Sequence, residues 1–236
     1  MNFEKALDDI RQGKVVLVYD FDNREGEADL TVASQFATFE TVRFMRKNAG
    51  GLICTTTPYE RAKNLGLPYM TDVYRSDPGN YPLLKKMIPN DLPYDNTKSS
   101  FGITVNHRKT FTGVTDGDRA MTIARYAEVI FQNKPDEEII KDLGNEFRSP
   151  GHVHLLNASE NLLTSRKGHT ELCTALMYMA GVLPSATICE MMGDDGKAMS
   201  KEKTMKFAED NDIEYITGDQ VIEKWDEFRG KAEAVR

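Results

Sequence analysis

The sequence predicts a single mixed α/β domain of the α+β type, in which helices flank a mixed, twisted β-sheet. Short apolar or β-branched runs, typical of buried strands, are interleaved with amphipathic helical segments along the chain. Their order is irregular, which favours a mixed sheet over a uniform series of parallel βαβ units. Because 236 residues, 40% of them hydrophobic, are enough for one large core, we expect residues 1–236 to form one domain.

The first quarter of the chain begins with a helix and continues through strands. Apolar residues recur at helical spacing from Phe3 to Gln12, and Gly13 is suited to end that helix. The following segments are predicted as strands at 14–19 and 28–34, a helix at 38–47 capped by Thr38, a strand at 52–57 and a short helix at 58–66. We expect the two early strands to pair and the residues between them to form a turn.

Residues 67–99 interrupt this alternation. The segment contains five prolines and no clear periodicity, so we expect a long loop that is functional or mobile. Beyond it the sequence predicts strands at 101–106, 152–157, 185–192 and 213–216, and helices at 116–130 (capped by Asp116), 168–180, 201–210 and 219–228. The charged span 134–147 carries no predicted element.

Charge and composition exclude several classes of function. Acidic residues outnumber basic ones by 37 to 30, and the net charge of -7 opposes a general affinity for nucleic acid or an anionic membrane. The N-terminal segment is amphipathic rather than a signal peptide, and no run of about 18 apolar residues occurs. Three distant cysteines without a CxxC pair fit a reducing compartment. We therefore expect a cytoplasmic protein with no nucleic-acid or membrane partner.

A run of carboxylates directly after the first strand is the strongest chemical signal. In an extended segment its last three acids point the same way, whereas Arg24 joins them only if the chain bends at Gly26. Crowded acids raise one another's pKa unless a cation compensates them, and Mg²⁺ favours oxygen ligands of this kind. A solvated acidic turn is the alternative interpretation. The acids are Asp20, Asp22, Glu25, Glu27 and Asp29.

The segment RKGHTE stands at the start of a predicted helix. Backbone N–H groups at a helix N-terminus bind phosphate, and Arg166, Lys167 and Thr170 add charge and a hydroxyl group there. Gly168 allows close approach of a ligand, and His169 can bind a metal ion or transfer protons. A polar helix cap without a ligand is the alternative.

Two further segments, PGHVH and ICE, suit acid–base chemistry. Glu190 follows an apolar run directly, so partial desolvation would raise its pKa toward the range useful for proton transfer. His152 is the candidate in PGHVH. A surface acid and a structural histidine are the alternatives. A zinc-deaminase interpretation of the H-x-E formed by His169 and Glu171 fails, because the partner P-C-x-x-C is missing.

Six motifs, in one order, resemble the 3,4-dihydroxy-2-butanone 4-phosphate synthases of riboflavin biosynthesis. They extend over residues 20–196 and are DFDNREGEADL, GGLICTTT, TFTGVTDGDRA, RSPGHVHLL, RKGHTELC and ICEMMGDDG. The resemblance implies the fold of that family and a stand-alone lyase of the archaeal kind. It implies conversion of D-ribulose 5-phosphate into L-3,4-dihydroxy-2-butanone 4-phosphate and formate, through a metal-stabilised enediolate and a skeletal rearrangement. It also implies dependence on Mg²⁺ or Mn²⁺ and a homodimer with active sites at the subunit interface.

The motifs also imply roles for individual residues. Glu25 and His169 would hold the metal ion. The implied substrate-binding residues are Arg24, Glu25 and Asp29 near the sugar, Arg166, Lys167, Gly168, His169 and Thr170 near the phosphate, Thr112 from the partner subunit, and Glu190. The implied catalytic residues, which transfer protons, are His152, Glu190 and Glu27.

The chain departs from the family pattern at two points. Residues 67–99 are longer and richer in proline than in bacterial members and resemble archaeal ones, and His154 stands where we expect a bulky apolar residue. Two other functions remain as alternatives. One is an isomerase or aldolase that acts on a sugar phosphate through the same enediolate without releasing formate. The other is a nucleotide- or RNA-binding module, which would need a basic groove.

Overall fold

The structure is a computed structural model that describes residues 2–76, 79–89 and 91–234. A single β-sheet lies at its centre. The strands are β1 (Val16–Tyr19), β2 (Ala28–Ala33), β3 (Cys54–Thr57), β4 (Phe101–His107), β5 (Phe147–Asn157), β6 (Ala186–Glu190) and β7 (Tyr215–Thr217). Their order in the sheet is β4-β5-β3-β6-β2-β1-β7.

The helices lie on both faces of this sheet. They are α1 (Phe3–Arg11), α2 (Phe39–Asn48), α3 (Tyr59–Asn64), α4 (Met70–Ser76), α5 (Pro82–Met87), α6 (Asp116–Ile130), α7 (Asp136–Glu146), α8 (His169–Ala180), α9 (Lys201–Asp210) and α10 (Gly218–Ala234). Over the described ranges, none of these helices has the length and apolar character needed to span a lipid bilayer.

The sheet is mixed, so the predicted fold class is confirmed. Strands β1 and β7 pair in parallel, as do β3 and β5, whereas β1–β2, β2–β6, β3–β6 and β4–β5 are antiparallel. The predicted pairing of β1 with β2 is therefore also confirmed, with Tyr19 opposite Ala28. The acidic turn connects these two strands and lies at one edge of the sheet. Strand β6 brings Glu190 to that edge, opposite Asp29.

Two apolar clusters cover the two faces of the sheet. Leu17 and Tyr19 of β1 belong to one cluster and Val16 and Val18 to the other, because successive strand residues point to opposite faces. Helices α2, α6 and α7 supply the first cluster, and α1, α8 and α10 supply the second. Nearly every residue of α8 is buried, so the N-terminus of this helix is held rigidly against the sheet.

Three features differ from the sequence prediction. The charged span 134–147 contains helix α7, whose sole buried residue is Ile139, so its apolar periodicity is too weak to detect. The segment 67–99 contains α4 and α5, which bury no residue and leave no periodic signal for the same reason. Strand β5 begins at Phe147 rather than His152, because its early residues pair with β4 across an irregular register.

The N-terminus of α6 is a smaller correction. We expected Asp116 to cap this helix, but the cap is Thr115, whose side chain accepts a hydrogen bond from the backbone N–H of Asp118. Asp116 instead lies in the first turn, where its negative charge is favoured by the helix dipole, and it forms a two-bond ion pair with Arg46 of α2.

Candidate active site

Asp20 organises the acidic turn between β1 and β2. Its Oδ1 accepts a hydrogen bond from the backbone N–H of Glu27 and its Oδ2 one from that of Glu25, both at 3.0 Å. Oδ2 also accepts a bond from Arg24. Gly26 has a φ of +66°, the left-handed conformation that glycine adopts without strain. The expected bend at Gly26 is therefore present, and it brings the Arg24 guanidinium to 2.9 Å from the Glu25 carboxylate.

A carboxylate–histidine cluster joins the turn to the N-terminus of α8. The Nδ1 atom of His169 lies 3.1 Å from Glu25 Oε2, and its Nε2 atom lies 3.7 Å from Asp29 Oδ1. One potential ligand atom each from Asp20, Glu25 and His169 lies within 4.8 Å of the others. Residues separated by about 140 positions in the sequence thus converge on one point.

Burial and charge shift the pKa values in this cluster in a consistent way. Burial alone would lower the pKa of His169, but the carboxylates of Asp29, Glu25 and Asp20 outweigh it and raise this pKa to about 10. Burial raises the pKa of Asp29 well above its usual value, and the nearby acids raise it further. Burial and the charge of Glu25 also raise the pKa of Glu27. Burial alone would raise the pKa of Glu25 as well, but His169 and Arg24 outweigh it and lower this pKa, so Glu25 is the carboxylate that these cations compensate.

The residues of the cluster fit a divalent metal ion. Asp29 Oδ1 and His169 Nε2 are both buried, and neither has a hydrogen-bond partner within the described part of the chain. Buried polar atoms without partners are rare and call for an explanation such as a bound ion. Carboxylate oxygens and an imidazole nitrogen can bind Mg²⁺ or Mn²⁺, and such an ion would relieve the repulsion among the acids.

An arginine pair lies beside this cluster and shares one carboxylate. Asp95 Oδ2 accepts hydrogen bonds from Arg24 Nη2 at 3.0 Å and from Arg166 Nε at 2.9 Å. A β-carbon on Gly168 would overlap the Arg166 guanidinium and lie 2.9 Å from Arg24 Nη2, so glycine is required for both arginines to lie over the N-terminus of α8. Glu171, which is fully buried, accepts a second bond from Arg166.

The Asp95 carboxylate is held firmly in its ionised form. Burial alone would raise its pKa, but hydrogen bonds from the hydroxyl and backbone N–H of Thr97, with the charges of Arg166 and Arg24, lower it to about 2. Two like-charged guanidinium groups repel each other unless an anion lies between them. Asp95 is that anion in this structure.

A cavity of about 920 Å³ opens onto these groups. The sequence-predicted site residues that line it are Glu25, Asp29, Arg166, His169, Thr170 and Glu190. A neighbouring cavity of about 740 Å³ is lined by Arg24 and by Lys167, whose side chain is exposed. The structure thus separates Lys167 from the larger cavity, and its predicted contact with phosphate stays a prediction.

Glu190 is fixed at the end of β6 by its neighbour Gly51. Glu190 Oε2 accepts a hydrogen bond of 2.7 Å from the backbone N–H of Leu52, and the Glu190 carbonyl accepts one from Gly51. A β-carbon on Gly51 would overlap Glu190 Oε2 and lie 2.7 Å from its carbonyl oxygen. The absent side chain at position 51 therefore leaves room for the Glu190 carboxylate.

Gly51→Ala is expected to lower kcat by displacing the Glu190 carboxylate. A misplacement of about 1 Å in a catalytic group costs about 10²-fold in rate. Steady-state kinetics on the purified variant measures this loss. Gly144→Ala is the matched control, because a β-carbon there meets no atom within 4 Å. An unchanged kcat in a folded Gly51→Ala protein would show that Glu190 does not need this orientation.

Thr112 and His152 lie outside the cluster and form a second group with Asn106. The backbone N–H of His152 donates to Asn106 Oδ1 at 2.8 Å, and Asn106 Nδ2 lies 3.5 Å from the Thr112 carbonyl oxygen. Both Thr112 and His152 are exposed, and neither lines the cavity that contains Glu25. The neighbouring Phe111 is 94% exposed. The predicted site residues are therefore divided between two places on one chain.

Sequence reasoning missed four residues that organise these groups. Asp20 was recognised only as one of five acids, although it holds the turn and is a potential metal ligand. Asp95 lay in a segment without periodicity. Glu171 was considered only as part of a zinc motif, and Asn106 only as a strand residue. The partners of Asp95 and the His152 partner of Asn106 are distant in the sequence, so the local pattern carries no signal for these two residues. Asp20 and Glu171 have partners four to seven residues away, but residue types alone do not show which carboxylate accepts those hydrogen bonds.

The fold and the site fit an enzyme with a small-molecule substrate, and the carboxylate–histidine cluster suits a divalent cation. Residues 4–224 match the sequence profile of the family described as 3,4-dihydroxy-2-butanone 4-phosphate synthase. The chain belongs to this family of riboflavin biosynthesis enzymes.

Individual relatives agree with this assignment. The 3,4-dihydroxy-2-butanone 4-phosphate synthase of Methanothermobacter thermautotrophicus is 47% identical over 227 residues, which are 96% of this chain and 96% of the relative. A solved structure of the Candida albicans synthase has a TM-score of 0.73 at 28% identity, over 95% of this chain and 97% of that one. A synthase solved with two magnesium ions has a TM-score of 0.75 over 98% and 99% of the two chains, and at 24% identity it supports the fold.

Proposed function

We propose that this chain converts D-ribulose 5-phosphate into L-3,4-dihydroxy-2-butanone 4-phosphate and formate. The observation that carries the proposal is the convergence of Glu25, Asp29, His169 and Arg166 on one cavity, with Arg24 beside them. Binding and reaction of a sugar phosphate need both the arginines and the carboxylates of such a site. The arginines suit its dianionic end, and the carboxylates suit proton removal next to its carbonyl group.

The carboxylates of the chain are proposed to move the protons. The reaction starts when a base removes a proton next to the carbonyl, which gives an enediolate, and the later loss of a hydroxyl group and the carbon-skeleton shift need further transfers. Glu190 and Glu27 are the proposed proton-transfer groups inside the acidic region. Burial and the charge of Glu25 raise the pKa of Glu27, a direction that suits a carboxyl group used for proton transfer.

Glu25 and His169 are proposed to hold Mg²⁺ or Mn²⁺, with Asp20 within reach. Such an ion would supply positive charge next to the substrate oxygens on which negative charge develops. Arg24 and Asp29 would orient the sugar hydroxyl groups. Arg166 and Thr170 would bind the phosphate, helped by the backbone N–H groups at the N-terminus of α8.

The experiment that tests the proposal is detection of formate. Purified protein with D-ribulose 5-phosphate and Mg²⁺ is expected to release formate and the four-carbon phosphate in equal amounts, followed by NMR of the reaction mixture. A chelator should stop the reaction, and added Mg²⁺ should restore it. Conversion of the substrate into other pentose phosphates without formate would instead identify a sugar-phosphate isomerase.

We also propose a cytoplasmic homodimer in which Thr112 and His152 of one subunit complete the site of the other. The exposed position of both residues, next to the almost fully exposed Phe111, supports this arrangement. An apolar side chain of that kind favours a surface covered by a partner.

A mixture of Glu25→Gln and His152→Ala subunits is expected to regain activity that neither variant has alone. In a heterodimer with sites made from both subunits, one site carries both changes and the other carries none. Random assortment of equal amounts then restores about a quarter of the wild-type sites. Co-refolding followed by the formate assay measures this. If each site belongs to one chain, every site carries a change and the mixture stays inactive.

Asp95→Asn is expected to strengthen the binding of inorganic phosphate by about tenfold or more, because one unit of like charge next to the anion is worth at least about 1.4 kcal/mol there. A phosphate at Arg166 has to compete with the Asp95 carboxylate for the same guanidinium groups. Isothermal titration calorimetry measures the affinity. Asp72→Asn is the control, since Asp72 pairs with Lys98 and Arg75 rather than with Arg24 or Arg166. Weaker binding by Asp95→Asn would mean that Asp95 only aligns the arginines.

A further inference from the structure

Asn106 makes two contacts with His152 that together define the state of the imidazole ring. The side chain of Asn106 lies near the end of β4 and its residue is only 3% exposed. Its Oδ1 accepts the backbone N–H of His152 at 2.8 Å, and its Nδ2 lies 3.1 Å from Nδ1 of the same histidine. A β-carbon on Gly113 would overlap the Asn106 amide, so the turn over Asn106 packs directly against it.

The orientation of the Asn106 amide follows from these partners. A backbone N–H can only donate a hydrogen bond, so the atom of Asn106 that faces the backbone of His152 must be the oxygen. The other amide atom, which faces the ring, is then the NH₂ group. The usual ambiguity between the two ends of an asparagine side chain is thus removed.

The same reasoning assigns the proton of the imidazole. The NH₂ group of Asn106 has no lone pair to offer, so Nδ1 of His152 must be the acceptor and carry no proton. In the neutral ring the proton is then on Nε2. Protonation of the ring would place an N–H at Nδ1 against the NH₂ group of Asn106, and two donors in contact repel. Asn106 therefore selects the Nε2–H tautomer of the neutral ring.

Because Nδ1 of His152 contacts Asn106, Nε2 is the ring nitrogen that can contact a ligand. Within the described residues it makes no hydrogen bond, and the His152 side chain is exposed rather than packed in the core. A neutral imidazole with its proton on Nε2 is a poor base at that atom. It is a good hydrogen-bond donor to an oxygen on which negative charge develops, and it gives up no proton in doing so.

We propose that Asn106 is a positioning residue that fixes the tautomer of the neutral His152 ring with its proton on Nε2, so that His152 stabilises an oxyanion of the substrate as a hydrogen-bond donor rather than removing a proton. The role in catalysis rests on the proposed function. The state of the ring does not, and it is measured without turnover.

NMR of the full chain with ¹⁵N-labelled histidine tests the state of the ring. At a pH where the ring is neutral, long-range ¹H–¹⁵N correlations are expected to show Nδ1 of His152 unprotonated and Nε2 protonated. His152→Gln identifies the signals among the four histidines. A protonated Nδ1, or an equal mixture of tautomers in the wild-type chain, would overturn the proposal.

Asn106→Asp is the decisive variant because it has almost the same shape and reverses the hydrogen bond. Its carboxylate accepts from Nδ1–H, so the proton is expected to move to Nδ1. Asn106→Ala, which removes both donor and acceptor, should give a mixture of tautomers and serves if the aspartate variant does not fold. Asn48→Asp is the matched control, because Asn48 donates to the Phe44 carbonyl on α2 and does not touch a histidine. An Asn106→Asp spectrum identical to that of wild type would overturn the proposal.

Kinetics of the same variants test the consequence for catalysis. Loss of one oxyanion donor costs about 10²- to 10³-fold in kcat, and a tautomer shift in Asn106→Asp is expected to approach the lower value with KM changed less than about twofold. A kcat close to wild type in a variant whose ring has changed tautomer would refute the donor role. If the wild-type chain releases no formate, the proposed function fails, and the NMR result still decides the state of His152.

Discussion

Glu25→Gln and His169→Ala are each expected to abolish turnover and to remove the stabilisation of the chain by Mg²⁺. Glu25 Oε2 and His169 Nδ1 lie 3.1 Å apart and are the predicted metal ligands from the two halves of the site. Glutamine cannot neutralise a divalent cation, and alanine removes the ligand altogether. Each substitution leaves the apolar core untouched, so the folded protein should survive.

Thermal unfolding gives a readout that does not depend on activity. A ligand that binds the folded state at 100 times its Kd adds about 2.7 kcal/mol to the free energy of unfolding, so saturating Mg²⁺ should raise the Tm of the wild-type chain. Neither variant should show this rise. Glu146→Gln is the matched control, since Glu146 pairs with Arg125 and His107 outside the site. Activity near wild type in either Glu25→Gln or His169→Ala would refute the metal assignment.

Glu190→Gln is expected to lower kcat by about 10²- to 10⁴-fold, the usual contribution of a positioned acid–base group. Glutamine keeps an oxygen for the N–H of Leu52, so the orientation of the side chain is preserved while its capacity to take a proton is lost. KM should change little, because the substitution leaves the proposed phosphate-binding residue Arg166 unaltered. His152→Ala should also lower kcat, by loss of a hydrogen-bond donor.

A control for local charge is available in the acidic turn itself. Asp22→Asn removes one negative charge near the site, but Asp22 is exposed and binds Tyr19 and Lys201 instead of lining the larger cavity. Its kinetics should stay near wild type. A Glu190→Gln effect confined to KM, or an equal loss of kcat in Asp22→Asn, would count against proton transfer by Glu190.

The acidic turn could be predicted because its signals are local. A buried strand ends at Tyr19, a glycine permits the bend, and a second strand begins at Ala28. The position of the RKGHTE motif at the start of a helix could likewise be predicted from the sequence. Asp95 could not be predicted in the same way, because its function comes from Arg24 and Arg166, each 71 residues away in the sequence. Only folding brings the three together.

The prediction of secondary structure failed for helices that bury few side chains. Helices α4 and α5 bury no side chain and α7 buries one, so the apolar periodicity that reveals a helix is missing. The motifs also do not reveal that the predicted site residues lie at two separate places on one chain. The sequence motifs containing Thr112 and His152 predict that both are site residues, but they do not show that the two lie apart from Glu25 on one chain. The expectation that residues 1–236 form one domain stays a prediction.

Asp95 gives the arginine pair a permanent internal counterion. A phosphate that reaches Arg166 therefore does not enter an empty positive site, because it exchanges one anion for another. Its affinity reflects the difference between the two anions, and dissolved salt screens the empty and the filled site in similar measure. An uncharged sugar has no means of making this exchange. If the proposed phosphate site is correct, the Asp95 carboxylate would favour ligands that carry more negative charge than Asp95 itself.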